Sequence, residues 1–497
     1  MLKRKIKKIL LFTPSAFTFK DLLDINPLPP LGLAYLGSVL EKNGIQVKIV
    51  DCLIEGWDSR TDVAENIIKI GLGIDEIESI IRNFAPDIVG VNNLFTRQRR
   101  NAHDIYRIAK NVSKDIIVIA GGAHATVMPE NVLADKNVDY VVLGEGEESL
   151  IALIGAIEGR ADLSSLDGIG YRDKDIIKII PKQRFIKDLD SIPFPARHLL
   201  SMEKYFGLEA SHGKRMCRRF SPIITSRGCP VGCSFCTAHH VWGKTFRKRS
   251  PMNVIEEMRD LKEKYQIEEL LFEDDNVTLD VNRAEEIFDL MIKEKLDFKW
   301  DTPNGVAAFA LTEGLIDKMK EAGCYKLNIA VESGSERVLR DVIKKPVNLK
   351  KVEVLIKHAK SIGLDANIFL IIGMPGETVG EMWDSYNFAK KIGIYKPFVS
   401  VATPYPGSEL YARSLKEGYI DEKSFLDNLY ITSCSISTDK WSGDDVRKIF
   451  EEGYSYLQME FYKKHPVLFS RKLAAKMFND PLGLIKKGIS SCRRLIA

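Results

Sequence analysis

Short runs of β-branched and aliphatic residues alternate with amphipathic stretches over the first 157 residues of the chain. This alternation is typical of a parallel sheet that is covered by helices on both faces. Helices are predicted, for example, at Leu31–Asn43 and Asn101–Ser113. We therefore expect a doubly wound α/β domain at residues 1–157. Its five strands are predicted at Ile6–Phe12, Val47–Asp51, Ile88–Val91, Ile116–Ala120 and Tyr140–Leu143.

A second α/β unit follows a polar connection at residues 158–210. The connection contains a predicted strand pair, Gly168–Arg172 and Ile176–Pro181, and its proline-rich stretch Ile192–Ala196 marks a boundary. Residues 211–420 then repeat a strand and a helix six times, which fits a partial, open (β/α)6 barrel better than a closed eight-fold one. The predicted strands are Pro222–Ser226, Glu269–Glu273, Lys299–Pro303, Lys326–Val331, Asn367–Ile372 and Phe398–Thr403.

The composition is ordinary for a chain with more than one core: 497 residues, 45% hydrophobic and 28% charged. A net charge of +4 does not indicate a nucleic-acid partner. Met1–Phe12 begins with basic residues, but its apolar run stops at four residues and no small-residue cleavage site follows, so it predicts a buried strand. No stretch reaches the roughly 18 apolar residues of a membrane span, and we expect a cytoplasmic protein.

Three cysteines follow the first predicted barrel strand: Cys229, Cys233 and Cys236. Three thiolates are one ligand short of a structural zinc site, whereas a 4Fe–4S cluster held by three cysteines keeps one iron open to another ligand. A zinc knuckle would take His239 or His240 as its fourth ligand and stays open as an alternative. Disulfides are disfavoured, because the other cysteines are scattered and no secretion signal precedes them.

The cysteine segment resembles the signature of radical S-adenosylmethionine (SAM) enzymes. Three and then two residues separate the cysteines, Gly228 and Gly232 let the backbone fold around a cluster, and Phe235 precedes the last cysteine. The resemblance implies that the open iron binds the amino and carboxylate groups of SAM. It further implies that the reduced cluster cleaves SAM to a 5′-deoxyadenosyl radical, with an external one-electron reductant such as flavodoxin or ferredoxin.

Unusual residues stand at the carboxyl ends of the later barrel strands, where function is located in such folds. Adjacent Asp274 and Asp275 repel one another unless a cation is supplied, and SAM brings an ammonium and a sulfonium. Glu332 could accept hydrogen bonds from ribose hydroxyls, and the turn after the fifth strand could line the adenine. Each segment alone could be an ordinary turn or helix cap. The resemblance implies SAM contacts from Asp274, Asp275, Glu332, Ser333, Gly373, Pro375 and Gly376.

The loops after the N-terminal strands predict a ligand site at that edge of the sheet, since a flavodoxin-like sheet binds ligands there. Gly121 and Gly122 would let a bulky ligand approach the backbone closely. The Pro-Pro-Leu-Gly-Leu segment at 29–33 and the Gly-Glu-Gly-Glu segment at 144–147 resemble the cobalamin-binding domain of one radical SAM subfamily. The resemblance implies cobalamin contacts from Pro30, Asn93, Thr96, Gly121, Gly122 and Gly144.

One departure from other cobalamin domains concerns the axial ligand of cobalt. The Asp-x-His-x-x-Gly motif of methionine-synthase-like domains is absent between the first strand and the first helix. The resemblance therefore implies base-off cobalamin without a histidine on cobalt. His124 is either a cobalt ligand or a loop histidine that hydrogen-bonds the backbone or the nucleotide tail. A vestigial domain that holds no corrin is a further alternative.

Two basic segments leave alternatives open. Arg227, Arg247, Lys248 and Arg249 flank the cysteine segment and form either a rim for the SAM carboxylate or an anionic substrate, or solvated surface. Residues 421–497 leave the barrel pattern and predict helices. Within them, residues 459–497 carry nine Lys and Arg against two acidic residues, interleaved with large apolar side chains. This tail predicts either peripheral contact with a membrane surface or a cap on the barrel.

The whole pattern predicts a cobalamin-dependent radical SAM enzyme that methylates an unactivated carbon of a small-molecule or lipid-like substrate. An alternative is radical cyclisation or rearrangement without methyl transfer, as in the anaerobic magnesium-protoporphyrin cyclase relatives. A non-catalytic iron–sulfur electron carrier is an alternative of another class. No catalytic side chain is predicted beyond the cofactor-binding residues.

Overall fold

The computed structural model describes residues 5–20, 25–208, 215–427 and 436–471. In the first half of the chain, strands and helices alternate as predicted. The strands are β1 (Lys8–Thr13), β2 (Ala16–Phe19), β3 (Gln46–Asp51), β4 (Arg60–Ala64), β5 (Ile67–Ile70), β6 (Ile88–Asn92), β7 (Ile117–Gly121), β8 (Tyr140–Val142), β9 (Ile169–Asp173) and β10 (Ile176–Ile180). The helices are α1 (Leu31–Lys42), α2 (Cys52–Glu55), α3 (Ile74–Phe84), α4 (Arg99–Val112), α5 (Ala123–Val127), α6 (Pro129–Ala134), α7 (Gly146–Ile157) and α8 (Met202–Phe206).

The N-terminal sheet has the predicted doubly wound architecture. Its parallel strands lie in the order β3-β1-β6-β7-β8, which is the flavodoxin-like order. Successive residues of β1 enter different cores: Leu10 and Phe12 pack on one face of the sheet, and Ile9 and Leu11 on the other. Because both faces are covered, these strands are continuously apolar rather than alternating.

The strand pair of the polar connection belongs to this sheet. β9 pairs antiparallel with β8, and β10 pairs antiparallel with β9, so the two strands extend the sheet to seven. A domain boundary at residue 157 therefore separates the pair from the sheet that it extends. β2, β5 and β4 form a small antiparallel sheet that the sequence pattern did not predict.

The second half of the chain forms the partial barrel. Its strands are β11 (Phe220–Ile223), β12 (Ser226–Arg227), β13 (Arg247–Lys248), β14 (Glu269–Phe272), β15 (Lys299–Asp301), β16 (Cys324–Glu332), β17 (Asp365–Ile372) and β18 (Phe398–Val401). The helices are α9 (Ala238–Trp242), α10 (Pro251–Tyr265), α11 (Val281–Lys293), α12 (Glu313–Glu321), a π-helical segment (Val338–Ile343), α13 (Leu349–Ser361), α14 (Val379–Lys391), α15 (Glu409–Lys416), α16 (Glu422–Asp427) and α17 (Gly443–Lys464).

Six parallel strands lie in the order β11-β14-β15-β16-β17-β18, so the predicted open six-stranded barrel is confirmed. β11 ends at Ile223, earlier than predicted, because Thr225 and Ser226 hydrogen-bond the Asp274 carboxylate beyond the strand. β12 and β13 form a short antiparallel ribbon that brackets the cysteine segment.

The C-terminal helix α17 packs on the outside of the barrel. Val446, Ile449 and Leu457 are buried, and Gly453 lies directly against the ring of Tyr386 in α14. α17 therefore packs on the barrel as far as Leu457, while residues 472–497 of the tail lie outside the described residues. None of the helices in the described ranges is both long and apolar enough to span a membrane.

Replacing Gly453 by alanine should lower the melting temperature of the barrel. A Cβ atom at this position would lie 2.1 Å from Cζ of Tyr386. Overpacking of this kind costs about 1–3 kcal/mol, more than the roughly 0.8–1 kcal/mol that alanine gains over glycine in a helix. Gly314→Ala in α12 is the matched control for calorimetry, because no atom lies within 4 Å of the added Cβ there. Equal melting temperatures of the two variants would contradict this packing.

Candidate cofactor site

The three predicted cluster ligands lie in the loop after β12 as partly buried, free thiols. Burial raises the pKa of all three thiols, that of Cys233 to about 12, and the charge of Cys229 raises the pKa of Cys236 further. Metal binding must therefore displace their protons. In the described ranges, no three His, Cys, Asp or Glu side chains converge as a single metal ion requires. His240, one of the two histidines named for a zinc site, lies 2.8 Å through Nε2 from the Gly407 carbonyl.

The cysteine loop is anchored at its middle by Ser234. The Ser234 hydroxyl donates to the Val342 carbonyl at 2.8 Å, and the Ser234 N–H donates to the Ile343 carbonyl at 3.0 Å. Gly228 has a φ of +86°, and a Cβ there would lie 2.4 Å from the Thr245 carbonyl oxygen. Glycine is therefore required beside Cys229, as the sequence predicted.

Of the two adjacent aspartates, only one faces the cysteine loop with free hydrogen-bonding capacity. The Asp274 carboxylate is buried and accepts from the Thr225 N–H at 3.0 Å and the Thr225 hydroxyl at 2.7 Å. It supports the chain that leads to the cysteines, so its assignment as a SAM contact fits less well than expected. Oδ2 of Asp275 is buried without a protein partner. Burial, and then the charge of Asp274, raise the pKa of Asp275 to about 6.

Glu332 lies at the end of β16 and pairs with a lysine that the sequence pattern did not single out. Oε1 of Glu332 lies 2.7 Å from Nζ of Lys345, and both side chains are buried. Glu332 has a φ of +77°. Residues other than glycine rarely adopt this backbone conformation, and those that do are often found at functional sites. The positive charge of Lys345 lowers the pKa of Cys229, Cys233 and Cys236 against the effect of burial. A buried charge pair thus adjoins the cysteine loop.

The remaining predicted SAM contacts are held by neighbouring elements. The Ser333 hydroxyl is fully buried, accepts from the Ser335 N–H and lies 3.4 Å from the Ser385 hydroxyl, so it faces α14. Gly373 has a φ of +81°, and its N–H donates to Oε2 of Glu377 at 2.8 Å. Burial raises the pKa of Glu377 to about 8, so this carboxyl is mostly protonated at neutral pH.

Arginines hold the two other predicted positions of that turn. The Pro375 carbonyl accepts from Arg413 at 2.9 Å, and the Gly376 carbonyl accepts from Arg337 at 2.9 Å. Gly376 has a φ of +95°. The backbone of the turn is therefore fixed before any ligand binds.

The predicted cobalamin contacts divide between an open edge and the domain interior. Gly121 has open space, since a Cβ there would meet only the Val142 carbonyl, at 3.8 Å. Gly122 has a φ of +95°, and a Cβ there would lie 2.5 Å from the Asn92 side chain, so its glycine is needed for the fold. The buried Asn93 donates its N–H to the Gly121 carbonyl at 2.7 Å. Pro30 caps α1 and is half-buried. The open backbone at Gly121 fits a flat, bulky ligand.

His124 contacts a side chain rather than the backbone. Nδ1 of His124 lies 3.1 Å from the hydroxyl of buried Thr96, and Nε2 is buried without a protein partner. Burial, and then the charge of Arg99, lower the pKa of His124 to about 3. The ring is therefore neutral at physiological pH.

Three of the four basic side chains beside the cysteine loop are buried. Both predictions for these three, a rim for an anionic ligand and a solvated surface, are therefore wrong. Arg227 pairs with Glu145 at 3.0 Å and Glu147 at 2.6 Å, and Arg247 pairs with Glu145 at 2.7 Å. Their partners lie some 80 to 100 positions away in the sequence, so the pattern gave no sign of the pairing.

The two remaining basic side chains differ in their surroundings. Arg249 is buried and pairs with Glu257. Lys248 is half-exposed and pairs with Asp280. None of these four cations stands free at the rim to receive the carboxylate of a ligand.

The Gly-Glu-Gly-Glu segment consequently joins the two halves of the protein. Gly144 has a φ of +64°, and a Cβ there would lie 3.1 Å from the Val241 carbonyl of α9. It therefore contacts the barrel, in contrast to the open position of Gly121. Gly407, after β18, packs on Val127 of α5, and Arg99 donates to the Leu426 carbonyl. The carboxyl edges of the two sheets therefore face each other.

Two family models match the chain: the B12 binding domain at residues 26–154 and the radical SAM superfamily at residues 223–389. The fold is similar to that of TsrM from Kitasatospora setae, a radical SAM methyltransferase solved with cobalamin and a 4Fe–4S cluster. That match has a TM-score of 0.65 and 17% identity and covers 82% of this chain and 77% of the other. Fold and site define a radical SAM enzyme with a cobalamin-binding domain.

Relatives with higher sequence identity define the family more closely. The chain is 35% identical over 481 residues to cytidylyl-2-hydroxyethylphosphonate methyltransferase of Streptomyces wedmorensis, covering 90% of this chain and 89% of the relative. It is 32% identical over 466 residues to an uncharacterised methyltransferase of Pyrococcus horikoshii, covering 93% and 94%. The chain belongs to the cobalamin-dependent radical SAM methyltransferase family, whose cofactors are a 4Fe–4S cluster, SAM and cobalamin. The electron-carrier and vestigial-domain alternatives are thereby set aside.

Replacing Glu332 by glutamine or Lys345 by methionine should weaken SAM binding while the cluster remains. Each change removes one charge from the buried pair beside the cysteine loop, and a charge-assisted hydrogen bond is worth about 1.5–3 kcal/mol. We expect a roughly ten- to hundred-fold higher Kd for SAM by anaerobic calorimetry, with unchanged iron content.

Lys344→Met is the matched control, because Lys344 is the neighbouring lysine, half-exposed and paired with Glu409 on the surface. Its Kd for SAM should equal that of the parent protein. Unchanged affinity for SAM in both E332Q and K345M would contradict the assignment of this pair to SAM binding. Loss of iron in both would show that the pair only supports the loop.

Proposed function

We propose that the protein methylates an unactivated carbon of a small-molecule substrate, with SAM as the source of the methyl group. The observation that carries this proposal is the facing arrangement of the two carboxyl edges, one with the cysteine loop and one with the open backbone at Gly121. When bound, the cluster and SAM supply a radical that removes hydrogen from carbon, and cobalamin supplies the methyl group. A substrate in the gap would meet both. The name of the Streptomyces relative supports a small polar substrate.

The chain's own residues would bind and orient the reactants. We assign the Glu332–Lys345 pair and Asp275 to the polar end of SAM, because these buried charges adjoin the cysteine loop. The fixed turn at Gly373–Thr378 would line the base. Holding reactants in one geometry is worth several kcal/mol of a barrier. An external one-electron reductant would start each turnover.

The test is to incubate the reduced holoenzyme with an extract of its native cells and SAM that carries a deuterated methyl group. Mass spectrometry should find 5′-deoxyadenosine together with a product that carries the deuterated methyl group. The control is Cys233→Ala, which should form neither. A product formed with 5′-deoxyadenosine but without the label would instead establish cyclisation or rearrangement.

We further propose that cobalamin is held base-off, with no protein imidazole on cobalt. The missing axial-histidine motif and the contact between His124 and Thr96 support this arrangement. Electron paramagnetic resonance of the Co(II) form should show no nitrogen splitting from a lower ligand, and His124→Ala should leave the spectrum unchanged. Nitrogen splitting that disappears in H124A would identify His124 as the axial ligand.

We also propose that the tail brings the enzyme to the anionic inner face of the cytoplasmic membrane. Val467, Leu468 and Phe469 are exposed apolar side chains at the start of this segment. Residues 472–497 follow with six Lys and Arg against one Asp. Each basic side chain near an anionic surface contributes about 1 kcal/mol, so reversible binding would need only a few of them.

Truncation after Arg471 should abolish sedimentation with phosphatidylglycerol vesicles while iron content and SAM cleavage are kept. This cut leaves α17 and its contacts with the barrel in place. The full chain should not sediment with neutral phosphatidylcholine vesicles, and added salt should release it from the anionic ones. A truncated protein that aggregates would identify the segment as part of the cap, and undiminished sedimentation would exclude it as the anchor.

A further inference from the structure

A buried network of four charged side chains crosses between the two halves of the protein. Glu145 accepts from Arg227 at 3.0 Å and from Arg247 at 2.7 Å, and Glu147 accepts from Arg227 at 2.6 Å. Oε2 of Glu145 also accepts the Ile186 N–H at 2.9 Å. Both glutamates follow β8 of the first sheet, and both arginines belong to the ribbon β12–β13 of the barrel. Every member therefore binds across the domain boundary or supports a member that does.

The surroundings restrict this network to one arrangement. Glu145 is 1% exposed and Arg227 is 3% exposed. The guanidinium of Arg227 lies between two aromatic rings, 5.2 Å from the Tyr35 centroid in α1 and 4.8 Å from the Trp242 centroid in α9. Burial alone would raise the pKa of Glu147, but the Arg227 guanidinium lowers it. Buried charges are tolerated only when they are paired in good geometry, so a displaced partner would be strongly unfavourable.

The network lies next to both cofactor edges along the chain. Arg227 precedes Gly228 and Cys229 directly, and the Gly228 N–H is held by the Asp275 carboxylate. On the other side, Glu145 stands two residues beyond Leu143, at the carboxyl edge that contains Gly121. A shift of the network would therefore move the first cluster ligand relative to the corrin edge.

We propose that Glu145, Glu147, Arg227 and Arg247 are positioning residues that set the separation between the cluster and cobalamin. This inference rests on the proposed function, because it assigns a use to the gap between the two edges. The network would act through Cys229 and the β8 loop, to which its members are joined along the chain. Disruption of the network would leave both cofactors bound but at an altered distance from each other.

The experiment measures the magnetic interaction between the two cofactors and needs no substrate. Holoenzyme reconstituted with cobalamin is reduced so that Co(II) and the cluster are both paramagnetic, and neighbouring spins then broaden each other's resonances. The parent protein should show this broadening. Glu145→Gln should lose most of it, with iron and corrin contents unchanged, and Glu147→Gln is the milder variant if E145Q does not fold.

Glu257→Gln is the matched control. Glu257 is fully buried and pairs with Arg197 and Arg249, but these pairs do not involve the β8 loop. It should lower the melting temperature as E145Q does and leave the broadening intact. Broadening that is unchanged in E145Q and E147Q, or reduced equally in E257Q, would overturn the proposal. A parent protein that takes up no corrin or no iron would instead refute the proposed function.

Discussion

The burial of opposite charges between the two halves of the chain is the constraint on which the rest of the structure depends. Removing a carboxylate and a guanidinium from water costs several kcal/mol for each ion. The contacts among Glu145, Glu147, Arg227 and Arg247 offset that cost, together with the backbone groups and aromatic rings around them. The two sheets can therefore meet in one relative position only. The cysteine loop, which begins beside Arg227, takes its place from that position.

A second group of charges is used differently. Glu332 and Lys345 neutralise each other beside the thiols, while Asp275 keeps one oxygen without a protein partner. The four charges of the domain interface thus balance, two against two, while the Asp275 carboxylate beside the cysteine loop keeps unmet hydrogen-bonding capacity. The left-handed backbone of Glu332 adds strain at the same place, and strain of this kind is retained where a function requires it. The contrast separates residues that hold the protein together from those available to a ligand.

Much of the fold could be predicted from the sequence, because buried strands such as β1 and β6 are continuous apolar runs, whereas β17 and the amphipathic helices show a regular alternation of buried and more exposed positions. The cysteine spacing was equally local. The sheet of β2, β5 and β4 was missed because β4 is exposed along its whole length and shows no alternation. The pairing of Arg227 with Glu147 spans 80 positions, and no local pattern distinguishes a buried arginine from a solvated one. Lys345 was missed for the same reason.

The position of β9 and β10 determines where the first domain can be cut. These strands follow α7 in the chain, yet they cover the outer side of β8. A fragment that ended at residue 157 would leave β8 with a row of unpaired N–H and C=O groups, and such an edge readily pairs with another molecule. A fragment extended through Ile180 would replace that edge with β10, which holds Lys178. Self-association of the shorter fragment would thus result from the absence of β9 beside β8 rather than from an unstable domain.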